Sequence, residues 1–270
     1  MSKMIPSPLL ARDDFLQPSV FTPENLLREA RRQKNLPLSK VPDVCVLDPD
    51  GDLVRQLSTA GKASKDKGWA CYHTDLYRTR VENIELGIVG CAVGASFAVL
   101  VAEQLFASGC RLLISVTSAG QLLDGRKPPY FILIERALRD EGTSHHYLAP
   151  SEFSDADPRL LDRIELALRA KSNAVERGST WTTDAPYRET QTAIASRREQ
   201  GLVAVEMEAA ALYAFAKACA KPVVCFAHVT NQMAVATGDF EKGEADGTIG
   251  ALDVIVTAAM AVTDLMTAQR

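Results

Sequence analysis

Gly201-Leu-Val-Ala-Val-Glu-Met-Glu-Ala-Ala-Ala-Leu-Tyr-Ala-Phe-Ala216 places two carboxylates, Glu206 and Glu208, on either side of Met207 in an otherwise almost wholly apolar run. Leu202, Val203 and Val205 before them have the character of a short buried strand, and Ala209 to Ala220 after them is rich in strong helix formers. Both acids therefore stand where a strand hands over to a helix. Unpaired N–H groups and the positive end of the helix dipole favour an ionised carboxylate there. On local sequence two readings stand: ordinary first-turn helix acids, or a functional carboxylate. So much Val, Met, Ala and Leu around the pair favours the second, because glutamate is seldom buried without a partner.

Outward from this junction the chain repeats a strand, glycine loop and helix rhythm. Val44–Leu47 reads as a buried strand before the turn cluster Asp48-Pro-Asp-Gly-Asp52, with a short helix from Leu53 carrying Arg55. Ile84–Val89 is a strand ending in Gly90-Cys-Ala-Val-Gly94, and a helix follows with Phe97, Leu100, Val101 and Leu105 on one face, closed by Ser108-Gly109. Leu112–Val116 leads into Thr117-Ser-Ala-Gly120. Phe131–Ile134 and the stretch up to Trp181 give further strands, and Pro158–Ala170 a helix. Trp69–Leu76 alternates loosely, like a half-exposed strand. Pro222–Val229 is the last long strand, ending at Thr230-Asn231, and residues 247–267 form a closing helix with Ile249, Leu252, Val256 and Met260 on one face. This rhythm predicts an α/β fold: one domain over residues 43–270, with a central mixed, largely parallel twisted sheet flanked by helices. Residues 1–42 carry six prolines and read as an arm with one helix from Pro23 to Gln33, capped by Thr22.

Bulk composition agrees with a globular enzyme-sized chain. Apolar residues make up 47% and charged residues 24% of 270, enough for a large core and too apolar for disorder. A net charge of −4 argues against nucleic acid as the main partner. Six scattered cysteines show no C-x-x-C pair and no metal spacing, and read as small buried hydrophobes in a reducing compartment. His145 and His146 have no spaced carboxylate or cysteine set, so metal binding is not expected. With no signal-peptide layout at the N-terminus and no run of about eighteen apolar residues, the expectation is a cytoplasmic protein with no membrane span.

Ligands of open α/β sheets gather outside the carboxyl ends of the strands. Four such ends, at 48–55, 90–94, 117–120 and 230–231, carry glycine-rich or polar sequence. Together they point to one composite pocket, although each glycine alone is what any turn requires. Arg55 reads either as a surface arginine or as an anion clamp whose guanidinium offers paired donors. Ser118 adds a hydroxyl. Asn231 is equally a turn-starting residue or a partner for a planar heterocycle.

Val205-Glu-Met-Glu-Ala-Ala-Ala-Leu-Tyr213 resembles the carboxylate motif of the nucleoside phosphorylase and nucleosidase superfamily. Gly51-Asp-Leu-Val-Arg55 is similar to that family's first phosphate loop, usually Gly-Asp-Pro-x-Arg. Ile88–Gly94 resembles its second glycine loop and Ser115–Gly120 its third strand end. Glu135–Pro150 and Val229-Thr-Asn-Gln232 are closest to the uridine phosphorylase branch. The resemblance covers roughly residues 43 to 267 and keeps the family's order.

It implies a pentosyltransferase that cleaves the N-glycosidic bond of a nucleoside, uridine-like or purine, to free base and ribose 1-phosphate. Inorganic phosphate is then the co-substrate and no further cofactor is required. Glu208, with Met207, would hold the ribose and stabilise charge developing on the sugar. Gly51, Arg55 and Ser118 would hold phosphate, with Lys67 as the closest match for a cation from a neighbouring subunit. Tyr187, Arg188, Glu189 and Asn231 would receive the base. The family implies a homodimer or hexamer. Two departures bear on the nucleophile. Phosphate-using members usually carry arginine where this chain has Ser115, which admits water as the attacking group. Hydrolytic members typically replace the first-loop arginine by glutamate, yet Arg55 is kept. Where the purine-selective branch has its general-acid aspartate, this chain has Asn231. A non-catalytic nucleoside-binding protein is the remaining alternative.

Overall fold

The computed structural model describes residues 7–15, 17–171, 175–233 and 237–267, with side chains described as far as residue 262. In chain order the elements are α1 (Pro23–Lys34), β1 (Val44–Asp48), α2 (Asp52–Thr59), β2 (Ala63–Lys65), β3 (Tyr77–Val81), β4 (Ile84–Gly90), α3 (Ala95–Ala107), β5 (Leu112–Gln121) and β6 (Tyr130–Asp140). There follow β7 (Phe153–Asp155), α4 (Pro158–Ala170), β8 (Glu176–Thr183), α5 (Gln191–Glu199), β9 (Ala204–Glu206), α6 (Ala209–Cys219), β10 (Val223–Asn231) and α7 (Thr248–Thr267).

One mixed sheet contains all ten strands. β4, β1, β5 and β10 run parallel to one another, as do β6, β8 and β9. Antiparallel pairings of β10 with β6 and of β9 with β5 join the two sets. The pairings close a ring through β5, β10, β6, β8 and β9. Closure covers the edge that β10 would otherwise leave open and brings the ends of β5, β9 and β10 to one mouth. β1 and β10 are buried along their whole length, which suits their Val, Cys and Phe content.

Helix α6 shows how the core is specified. It is apolar nearly all round and is buried from Ala209 to Phe215. Its one buried polar group, the Tyr213 hydroxyl, donates to the Ile134 carbonyl at 2.6 Å and accepts from the Cys225 N–H at 3.0 Å. That pair of bonds pins the helix to β6 and β10 at a single position.

Several expectations are corrected. Trp69–Leu76 is a loop rather than a strand; its Ala70 and Cys71 carbonyls accept from the Lys34 ammonium, and the Trp69 indole donates to Thr74. The strands of this region are β2 and β3, on either side of that loop. β5 and β6 run several residues past their apolar cores. In α3, Leu100 is exposed and the buried line is Ala98, Val101, Ala102 and Leu105. In α7, Val256 is buried and Leu252 packs against the core as expected, but Ile249 and Met260 are exposed, and Ala251, Val254, Ile255, Ala258 and Val262 complete the inward face. Small residues let α7 approach the rest of the molecule closely, and a helix so apolar does not reveal its buried face by periodicity. The stretch Glu244–Val262 is long and apolar enough to cross a membrane by length and composition, but more than half of it is buried within the fold.

Helix α1 forms as expected, with the Thr22 hydroxyl accepting from the Asn25 N–H. It is not a free arm, because Leu27 and Ala30 are buried together with Ala70, against Leu36 and Ala107. Of the six thiols, all free, Cys45, Cys71, Cys110 and Cys225 are buried, whereas Cys91 and Cys219 are exposed.

Candidate active site

The two glutamates of the β9–α6 junction are both buried, and they do different work. Glu206 accepts from the hydroxyls of Thr180 (3.0 Å) and Thr182 (2.5 Å) and from the N–H groups of Glu208 and Ala209 (both 2.7 Å). Thr180 and Thr182 alternate along β8 and so lie on one face of it. Burial raises the Glu206 pKa, and these donors oppose that rise by favouring the ionised form. Glu206 is thereby consumed in building the start of α6.

Glu208 accepts from the Gly94 N–H and the Thr117 hydroxyl, each at 2.7 Å and each to a different oxygen. A carboxylate has about four acceptor positions, so acceptor capacity remains for a ligand. The donors come from the second glycine loop and from β5, and the acid is carried on β9–α6. Burial, and after it the charge of Glu206, pushes the Glu208 pKa up to about 7. Met207, between the acids, is half-buried.

The first loop forms a separate, acidic subsite. Gly51 caps α2 in the left-handed region, φ 74°. A Cβ on it would lie 2.7 Å from the Cys91 sulfur, so both backbone and space require glycine. The side chain of Asp48 accepts from the Val54 N–H at 3.1 Å, and burial pushes its pKa up to about 6. The Arg55 guanidinium reaches this loop but pairs with Asp52. Asp52 also accepts from Lys242 at 2.5 Å, and Lys242 bridges on to Asp50 at 3.0 Å. Asp48, Asp50, Asp52, Ser118, His228 and Gly247 line a hollow of about 20 Å³. Burial pushes the His228 pKa down to about 4, and its ring stacks on Phe131 with centroids 4.4 Å apart. It is thus a neutral wall of the hollow at neutral pH.

The structure brings Gly51, Arg55 and Ser118 to the same strand ends as Glu208. Ser115 is buried with its hydroxyl unpartnered, so no charge replaces the arginine there. Asn231 is buried beside them, with its amide committed to Thr230 and the Met233 N–H. Tyr187 is 99% exposed, Arg188 is exposed, and Lys67 is exposed in the β2–β3 connection. Glu189 is half-buried, and burial pushes its pKa up to about 7. His145 packs against Arg139 in the loop after β6. Among the described residues no cluster of His, Cys, Asp and Glu has the makings of a metal site.

The glycine loop ending at Gly94 is read from the sequence, and its N–H meets the Glu208 carboxylate; sequence reasoning passed over Thr117 behind Glu208, Thr180 and Thr182 behind Glu206, and Lys242 across from Asp52. Only the alternating Thr180-x-Thr182 carried a local signal.

The comparisons with known proteins agree with this fold. The family model described as the phosphorylase superfamily matches residues 43–263. No curated relative matches the sequence. Among solved structures, uridine phosphorylase from Vibrio fischeri aligns with a TM-score of 0.69 at 20% identity, covering 86% of this chain and 94% of that one. The same enzyme complexed with 6-hydroxy-1-naphthoic acid aligns equally well, covering 86% and 93%. At that identity the likeness speaks for the fold, while the match over 43–263 speaks for descent, and the chain belongs to the phosphorylase superfamily.

Proposed function

We propose that the protein cleaves the N-glycosidic bond of a uridine-like nucleoside with phosphate as acceptor, releasing the free base and ribose 1-phosphate. The observation that carries this reading is Glu208, a buried carboxylate oriented by Gly94 and Thr117 with acceptor capacity to spare. Ribose 2′- and 3′-hydroxyls would donate to it, and its fixed charge would stabilise the oxocarbenium character that develops as the bond to the base breaks. A phosphate oxygen held by Gly51, Arg55 and Ser118 forms the new bond to C1′. The electron pair of the broken bond leaves with the base, which then takes up a proton. Holding both partners makes the attack effectively intramolecular. Lys67, exposed on its loop, would complete the acceptor site of a neighbouring subunit, in a homodimer or larger assembly. Nucleoside salvage in the cytoplasm is the setting this implies.

A second reading, hydrolysis, is favoured by the charge balance of the first loop. Ser115 contributes no cation, Asp52 occupies both Arg55 and Lys242, and a polar hollow of about 20 Å³ is the size of one water. Incubating the protein with a nucleoside panel, with and without phosphate, and following free base tests both. Release that requires phosphate supports phosphorolysis, and release indifferent to phosphate supports hydrolysis. Nucleoside binding with no release in either condition overturns both.

A further inference from the structure

Beyond the groups assigned above, four residues form a continuous chain across the mouth of the site. The Met233 N–H donates to Asn231 Oδ1 at 2.9 Å, which fixes the orientation of that amide. The Asn231 Nδ2 therefore faces Thr230 and donates to its hydroxyl oxygen at 3.1 Å. Thr230 is fully buried, and its hydroxyl lies 2.9 Å from the Ser118 hydroxyl. Either of these two hydroxyls can donate to the other, so Thr230 ties Asn231 to Ser118. Ser118 also lines the hollow of the first loop. The chain thus runs from Met233 to the acceptor subsite.

Its other end shapes the far side of the mouth. Ser118 and Gly120 share one face of β5 by strand alternation. A Cβ on Gly120 would lie 2.8 Å from the Met233 sulfur, 3.3 Å from Val205 and 3.4 Å from Asn231 Oδ1. The thioether therefore rests directly on the backbone at the end of β5. Met233 holds a left-handed backbone, φ 68°, and packs against the cluster of Trp181, Val205 and Ile194. In a displacement at C1′ the leaving base lies opposite the incoming acceptor. With the acceptor at the first loop, the base lies toward Gly120 and Met233.

We propose that Thr230 and Asn231 are positioning residues: through them Met233 is fixed as the wall of the base end, admitting a one-ring base and excluding a two-ring base, and the Ser118 hydroxyl is held in place at the acceptor subsite. This rests on the nucleoside-cleaving reading above. A flexible, polarisable thioether suits contact with a planar ring. Removing it frees room comparable to the second ring of a purine.

The experiment compares uridine with inosine, by kcat/KM and by calorimetric Kd, in wild type, Met233→Ala, Met233→Leu and Thr230→Val. In Met233→Ala the uridine-to-inosine ratio falls about tenfold, in keeping with the reach of a hydrophobic wall. In Met233→Leu, which keeps the volume, it stays within about twofold of wild type. Thr230→Val is isosteric but cannot tie Asn231 to Ser118. There the ratio falls about threefold, although residue 230 touches no base, and the KM for the acceptor rises. A purely structural role would weaken both nucleosides equally. An unchanged ratio in folded Met233→Ala, or in folded Thr230→Val, overturns the proposal. If neither nucleoside binds wild type or variant, the nucleoside reading itself fails, and that outcome is distinct from an unchanged ratio.

Discussion

The backbone N–H of Glu208 donates to the side chain of Glu206 at 2.7 Å. One acid of the motif is thereby the scaffold of the other. Glu206 is saturated by donors from β8 and from the start of α6, whereas Glu208 keeps free acceptor positions at the mouth. The two acids should therefore fail differently. Glu206→Ala orphans buried hydroxyls and N–H groups and is expected to lower stability by about 3 kcal/mol or more. Glu208→Ala is expected to keep the fold and lose nucleoside turnover. Chemical denaturation and base-release assays on both variants check this; near-normal turnover in Glu208→Ala refutes the ribose role.

The elevated pKa of Glu208 gives a pH signature. The ionised form is the one that stabilises a cationic sugar, so kcat/KM should rise with pH through about 7 and level off above it. Stability runs the other way. The folded pKa lies above the ordinary value of 4.5, so the folded state holds the proton more tightly than the unfolded chain. Between about 4.5 and 7 the unfolded state binds fewer protons, and stability declines as pH rises across that window. The full decline is on the order of 3 kcal/mol. Denaturation across this range should show the slope in the wild type and a flatter profile in Glu208→Gln. A wild-type activity profile flat from pH 5 to 8 would remove Glu208 from the chemistry.

The reach of sequence reasoning in this protein follows the range of the interactions involved. Pro158–Ala170 is read to the residue, because Asp157, Pro158 and the apolar stripe are all local signals. The Glu206–Met207–Glu208 junction is equally local. Which acid is free depends on Thr117, about ninety positions earlier in the chain, and no spacing encodes that. Asp52 and Lys242 are likewise 190 positions apart. The buried face of α7 was hidden for a different reason, since Ala and Val on one side compete with Ile249 and Met260 on the other. Trp69–Leu76 alternates like a strand, yet Lys34 takes up the carbonyls of Ala70 and Cys71.

The pairing of Asp52 with both Arg55 and Lys242 makes it the residue that sets the charge of the acceptor subsite. Asp52 is buried, while the Arg55 side chain is half-exposed. An incoming phosphate must compete with this carboxylate for the guanidinium, whose paired donors suit either anion. Asp52→Asn keeps the size and removes the charge, freeing Arg55 while Lys242 keeps its pairing with Asp50. Under phosphorolysis the KM for phosphate should fall about tenfold in Asp52→Asn and rise about tenfold in Arg55→Ala, the range of one charged hydrogen bond. The nucleoside KM should move little in either. Under hydrolysis the rate is indifferent to phosphate in all three proteins, so the pair of variants also separates the two nucleophiles. Phosphate-dependent turnover with an unchanged phosphate KM in Arg55→Ala would show that the first-loop arginine does not touch the acceptor.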